Sequence, residues 1–155
     1  MADLTPEAVR DRFPEAVVSV HLFRGEITAV VRRETLVQTA TALRDDPEWR
    51  FNFLSDLTCA DHLPRRPRFD VVYHLASVPA GHRIRLKVQV DEDDPVVPSV
   101  TGVWPGANWY EREVFDLFGI IFEGHPDLTR ILLPDDFEGH PLRRDHPVGK
   151  SRIPF

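Results

Sequence analysis

The residues best equipped for chemistry crowd the C-terminal third of the chain: His125, Asp127, His140, Asp145 and His146. Imidazole and carboxylate of this kind ligate zinc or iron, so a metal-dependent hydrolase is one reading. Against it, His125 and His140 each precede a proline, which pushes their backbone to an extended form and leaves no helix to fix their spacing. The structural reading therefore ranks ahead: these histidines pack and hydrogen-bond in turns. Glu111 and Glu113 are two apart on a helical stretch and point to different faces, so they make a poor general acid–base pair. Cys59 is the only cysteine, which excludes an internal disulfide and a four-cysteine iron–sulfur site. At the end of an apolar run, it reads as a small buried hydrophobe rather than a catalytic thiol. Asp91-Glu92-Asp93-Asp94 lacks the spacing and glycine of a calcium loop and reads as a solvated turn. No glycine-rich phosphate loop, no Gly-x-Ser-x-Gly elbow and no His-Glu-x-x-His occurs.

The element that positions this region is a helix at 109–118. Tyr110, Val114, Leu117 and Phe118 form one apolar face, Gly119 supplies the stop, and Asn108 with Glu111 has the pattern of a capping box. Arg112 and Asp116 are placed badly for both the helix dipole and an i,i+4 pair, which predicts partners for them elsewhere. After Gly119 the chain changes character. Phe-Glu-Gly-His-Pro at 122–126 recurs at 137–141, and prolines at 126, 134, 141, 147 and 154 forbid a long helix. Phe122, Leu128, Ile131, Leu132, Leu133, Phe137 and Leu142 keep the segment from being a low-complexity linker. It reads as an extended strip laid along a surface, its own or that of a neighbouring protein.

Upstream, Thr5 caps a first helix that ends before Pro14. Residues 16–23 and 26–31 form a hairpin around Arg24-Gly25, and 33–45 is a helix ended by Pro47. Trp49 to Cys59, with Phe51 and Phe53 alternating, is expected as a buried strand, joined to 26–31 by the helix as a crossover. Residues 69–76 and 83–90 are strands joined by a loop at 77–82. Ile84, Leu86, Val88 and Val90 face inward, and Arg83, Arg85, Lys87 and Gln89 outward. Pro98-Ser99 starts a short helical turn reaching Trp104. The expected fold is α+β: a mixed, mainly antiparallel β-sheet with helices packed on it over 1–118, followed by an extended Pro-rich C-terminal docking segment over 119–155.

A formal charge of −6 argues against a general nucleic-acid binder, no run is long enough to span a membrane, and the N-terminus lacks the features of a signal peptide. A cytoplasmic protein is expected.

Several stretches carry a resemblance. Glu111-Arg112-Glu113-Val114-Phe115-Asp116-Leu117-Phe118-Gly119-Ile120, His125-Pro126-Asp127-Leu128, Arg130-Ile131-Leu132-Leu133-Pro134 and Gly139-His140-Pro141-Leu142-Arg143-Arg144-Asp145 resemble the signature of the 30-kDa (C) subunit family of respiratory complex I, the proton-translocating NADH:quinone oxidoreductase. Phe51-Asn52-Phe53-Leu54, Asp56 and Pro98-Ser99-Val100-Thr101 are similar to family stretches as well. Thr129 stands where Lys, Arg or Pro is expected, and His146 where Tyr is usual. The resemblance implies a structural component of the peripheral arm without catalytic residues or a cofactor of its own. FMN, Fe–S clusters and quinone would belong to partner subunits. The quinone-site (D) subunit would be the chief neighbour, with the cluster-bearing B and I subunits close by. The setting would be the cytoplasmic face of a bacterial inner membrane, with membrane contact only through the complex. Equivalent subunits occur in membrane-bound hydrogenases and in ferredoxin- or deazaflavin-dependent relatives, which stand as an alternative. On this reading Arg112, Asp116, His125, Arg130, His140, Arg143, Arg144 and Asp145 are the candidate partner interface, with Arg143 expected as one anchor.

Overall fold

The computed structural model describes residues 2–149. Helix α1 (Pro6–Arg12) starts as its sequence dictates: the Thr5 hydroxyl accepts the Ala8 N–H at 3.1 Å and Pro6 fills the first turn. Strands β1 (Val17–Phe23) and β2 (Glu26–Val31) form an antiparallel hairpin. Its two-residue turn is Arg24-Gly25, both at positive φ (51° and 78°), the geometry that matches the twist of the flanking strands. A short 3₁₀ turn leads into α2 (Leu36–Asp45), which buries Leu36, Ala40 and Leu43. Then come β3 (Phe53–Asp61), β4 (Phe69–Ala76), β5 (Arg83–Val90), β6 (Val96–Pro98), α3 (Ala107–Phe118) and β7 (Ile121–Glu123).

The main sheet has the order β1-β2-β5-β4-β3. All neighbours are antiparallel except β2 and β5, so the fold is the expected α+β with a mixed, mainly antiparallel sheet. The crossover through α2 does not make β2 and β3 neighbours, because β5 and β4 lie between them. Helix α1 packs on β1 and α3 on β3. Ile84, Leu86, Val88 and Val90 of β5 join the core as their alternation requires.

Three local expectations are corrected. The strand expected from Trp49 begins only at Phe53: Arg50 takes φ +47°, and the Asp46 carboxylate accepts the N–H groups of Glu48 and Trp49, so the chain turns there. Trp49 and Phe51 are buried outside the sheet, while Phe53 is 51 % exposed. At the start of α3, Asn108 is not the cap. Gly106 precedes the helix, and backbone carbonyls of Trp104 and Pro105 accept the first N–H groups, so Glu111 is released from a capping box. Finally, β6 and β7 form a separate parallel pair, with Val97 and Phe122 buried, tying the first residues after α3 into the body.

Candidate partner-docking site

The strip after β7 is held by the charges that α3 places against its own dipole. Asp116 is fully buried, and its Oδ2 accepts three consecutive backbone N–H groups, those of Ile131, Leu132 and Leu133, at 3.2, 2.8 and 2.9 Å. Its Oδ1 accepts from Arg130 at 2.8 Å. Burial pushes the carboxyl pKa up, but the Leu133 and Leu132 amides, Arg130 and the Ile131 amide outweigh it and leave it below the ordinary value. One turn earlier, Arg112 donates to the Thr129 carbonyl and hydroxyl and to the Arg130 carbonyl, each at 3.1 Å. The pair that helix energetics disfavours is thus a clamp for residues 129–133, and Thr129 is one of its contacts.

The far end of the strip closes the helix. The last carbonyls of an α-helix have no partner within it. Here the Asp116 carbonyl lies 3.1 Å from His140 Nδ1, the Leu142 N–H donates to the Leu117 carbonyl at 3.1 Å, and Arg143 Nε donates to the Phe118 carbonyl at 2.7 Å. Gly119, at φ +76°, lies under these side chains: a Cβ there would stand 2.7 Å from both Arg143 and His140. Burial lowers the His140 pKa, keeping the ring neutral against the helix end. Arg130 extends the network to the Phe137 and Gly139 carbonyls at 3.1 and 3.3 Å, and Phe137 stacks on His146.

A third fastening was not visible in the sequence. Arg68 is 1 % exposed, and its guanidinium holds Asp61 through two bonds (2.9 and 2.8 Å), Glu92 at 2.8 Å and Asp145 at 2.7 Å. The Arg144 N–H adds a bond to Asp61 at 2.8 Å. The bond to Arg68 holds the Asp61 carboxyl well below the usual carboxylate range, and Arg68 also lowers that of Asp145. Part of the acidic run at 91–94 is thereby explained: Asp91 and Glu92 pair with Arg66, and Glu92 with Arg68.

Seven of the eight candidate interface side chains are therefore spent inside the chain. His125 accepts the Asp127 N–H through Nδ1, so its Nε2–H donates to the Asn108 carbonyl at 3.0 Å. Arg143 turns onto Phe118 and the Phe69 ring rather than outward. Only Arg144 is exposed with no side-chain bond among the described residues. The network fixes the shape of the strip through bonds within the chain. The residues at 150–155 that the expected segment includes lie outside the described part.

The histidines and carboxylates do not converge: among the described residues no three of His, Cys, Asp and Glu are placed to hold a metal. Cys59 is buried, which pushes its thiol pKa upward and keeps it an inert hydrophobe. With a single cysteine the chain cannot supply the four thiolates of an ordinary iron–sulfur cluster. Glu111, set aside in the sequence as one of a poor acid–base pair, is fully buried and accepts from the Val100 N–H (2.8 Å) and the Ser99 hydroxyl (3.1 Å). Burial pushes its pKa up to about 7.

A family model described as respiratory-chain NADH dehydrogenase, 30 Kd subunit, matches residues 29–152. The C subunit of NADH-quinone oxidoreductase from Roseiflexus sp. (strain RS-1) is 56 % identical over 149 residues, covering 96 % of this chain and 86 % of that protein. Its counterpart of the same name in Geotalea uraniireducens (strain Rf4) is 46 % identical over 148 residues, with 95 % and 89 % covered. Among solved structures, a trypsin-resistant fragment of Nqo5 superposes with a TM-score of 0.69 at 40 % identity, covering 79 % of this chain and 98 % of the fragment. A chain of the membrane-bound sulfane sulfur reductase, an archaeal respiratory membrane complex, gives a TM-score of 0.76 at 25 % identity, with 92 % and 83 % covered.

Proposed function

The chain belongs to the 30-kDa subunit family of the respiratory-chain NADH dehydrogenase, and from that premise we propose that it is a structural component of an NADH:quinone oxidoreductase. It carries no electrons itself. It supports a peripheral arm in which other subunits hold the FMN, the Fe–S clusters and the quinone. The observation that carries this reading is the likeness to its quinone oxidoreductase relatives along nearly the whole chain, including the strip. No helix among the described residues is long and apolar enough to cross a membrane.

The finer assignment is that the strip faces the quinone-site (D) subunit, with the B and I subunits nearby, on the cytoplasmic face of the inner membrane. Arg112, Asp116, His125, Arg130, His140, Arg143 and Asp145 act on that contact by shaping the strip. Arg144 reaches the neighbour directly. Support comes from the strip's construction: its side-chain bonds run to α3 and to Arg68, and its apolar residues Leu132 and Leu142 point to solvent, at 61 % and 53 % exposed.

The sulfane sulfur reductase chain shares the fold, which favours one alternative: an equivalent component of a related complex with another electron acceptor. Relatives at 46 % identity and above carry the quinone oxidoreductase name, so that name takes precedence.

The test is to delete the coding sequence in the host and restore it in trans. Loss of assembled complex on native gels, with loss of NADH:quinone reductase activity in membranes, both restored by the wild-type chain, is the expected result. Membranes that keep full activity without the chain refute the assignment.

A further inference from the structure

We infer that a groove between α3, the start of β3 and the strip receives an apolar segment of a neighbouring protein that carries a lysine or arginine beside its apolar side chain; this rests on the chain acting within a multisubunit complex. The groove encloses about 680 Å³ and is lined chiefly by Phe53, Leu54, Pro105, Trp109, Ile131 and Leu132. Trp109 is 71 % exposed, Leu132 61 % and Phe53 51 %. Three large apolar side chains left in water within one concavity form the kind of patch that marks an interaction site.

The patch is built rather than left over. Ile131 and Leu132 have their N–H groups fixed on Asp116, so they cannot fold inward to join the core. Trp109 lies on the opposite side of α3 from the buried Glu111 and Val114. One buried carboxylate thus sets the strip residues as a wall facing an exposed indole.

The charge of the groove selects its occupant. Glu113 lines it, is exposed and makes no ion pair among the described residues. No lysine or arginine lines it. Glu113 follows Trp109 by one turn of α3 and lines the same groove, and a carboxylate and an indole together favour a cation, which gains from both the ion and the π-system. The apolar walls take the side chain next to that cation. A second copy of this chain and an uncharged or acidic segment are the competing occupants.

The experiment uses the assembled complex. Leu132 is replaced by p-benzoylphenylalanine, the complex is irradiated, and the cross-linked peptide is identified by mass spectrometry. A second chain adds Glu113→Lys. The expected result is a cross-link to another component of the complex, on a peptide with a lysine or arginine adjacent to an apolar residue. Glu113→Lys should lower its yield about tenfold, equivalent to about 1.4 kcal/mol, without moving the melting temperature of the purified full chain. A chain that assembles but gives no cross-link at 132, a cross-link to a second copy or to an acidic segment, or a yield indifferent to Glu113→Lys, overturns the inference while leaving the family role intact. A wild-type chain that does not co-purify with the complex overturns both.

Discussion

Replacing Asp116 by alanine removes one acceptor group from four donors at once: the amides of Ile131, Leu132 and Leu133 and the Arg130 guanidinium. Removing one partner of a buried ion pair costs about 3–5 kcal/mol, and each backbone donor stranded away from water adds about 1–3 kcal/mol. The second term has an outlet. Leu132 is exposed, so its amide reaches water once residues 129–133 lift off α3. The global loss therefore stays near about 3–5 kcal/mol, and the larger change is local. Hydrogen exchange of residues 131–133, followed by mass spectrometry, should rise toward the rate of free chain, while β4 and β5 keep their protection. Asp116→Asn keeps one oxygen for the amides but turns an NH₂ toward Arg130, so it should fall between alanine and wild type. If the amides of 131–133 keep wild-type protection in Asp116→Ala, the carboxylate is not what holds the strip, and the account of the clamp fails.

Glu111 has a native pKa raised from 4.5 to about 7, so the folded chain holds that proton more tightly than the unfolded one. Its contribution is complete below about pH 4.5 and is lost as pH rises through about 7. Relative to Glu111→Gln, wild-type stability should fall by up to about 3 kcal/mol over that window in denaturant titrations. Arg68→Met should cost about 3–5 kcal/mol by stranding the buried Asp61 carboxylate. Asp145→Ala, at the exposed end of the same cluster, should leave the denaturation midpoint close to wild type by the same assay. Gly119→Ala forces a left-handed alanine into the space of His140 and Arg143, and should lower stability by about 1–2 kcal/mol or more, read as a shift in the denaturation midpoint.

Where a residue's fate depended on its near neighbours, the sequence was readable. Strands 69–76 and 83–90, the Arg24-Gly25 hairpin, the Thr5 cap and the glycine stop of α3 all rest on periodicity or a single special residue. The misplaced Arg112 and Asp116 charges were readable too, as a demand for partners from elsewhere, although nothing local named Thr129 and the amides of 131–133 as the answer. The failures were non-local. The Phe51/Phe53 alternation was broken by the positive φ at Arg50. Glu111 matched a capping box, but the preceding turn satisfied the helix start with its own carbonyls, and the carboxyl went inward to Ser99 and Val100. The cluster on Arg68 joins residues 61, 68, 92 and 145, a grouping that only the sheet brings about. Partners within the chain, Asp116 for Arg130, Arg68 for Asp145 and carbonyls at the end of α3 for His140 and Arg143, leave no mark in a sequence.

The cap on α3 has a bearing on the order of synthesis. A ribosome delivers residues 129–145 only after the sheet and α3 have emerged, and chains begin to fold from the N-terminal side as they are made. Until then the carbonyls of Asp116, Leu117 and Phe118 wait in water and the Asp116 carboxylate has none of its four donors. A nascent or prematurely ended copy can form the sheet yet lacks the wall made by Ile131 and Leu132. The groove beside Trp109 is thus complete only in chains translated past residues 131 and 132.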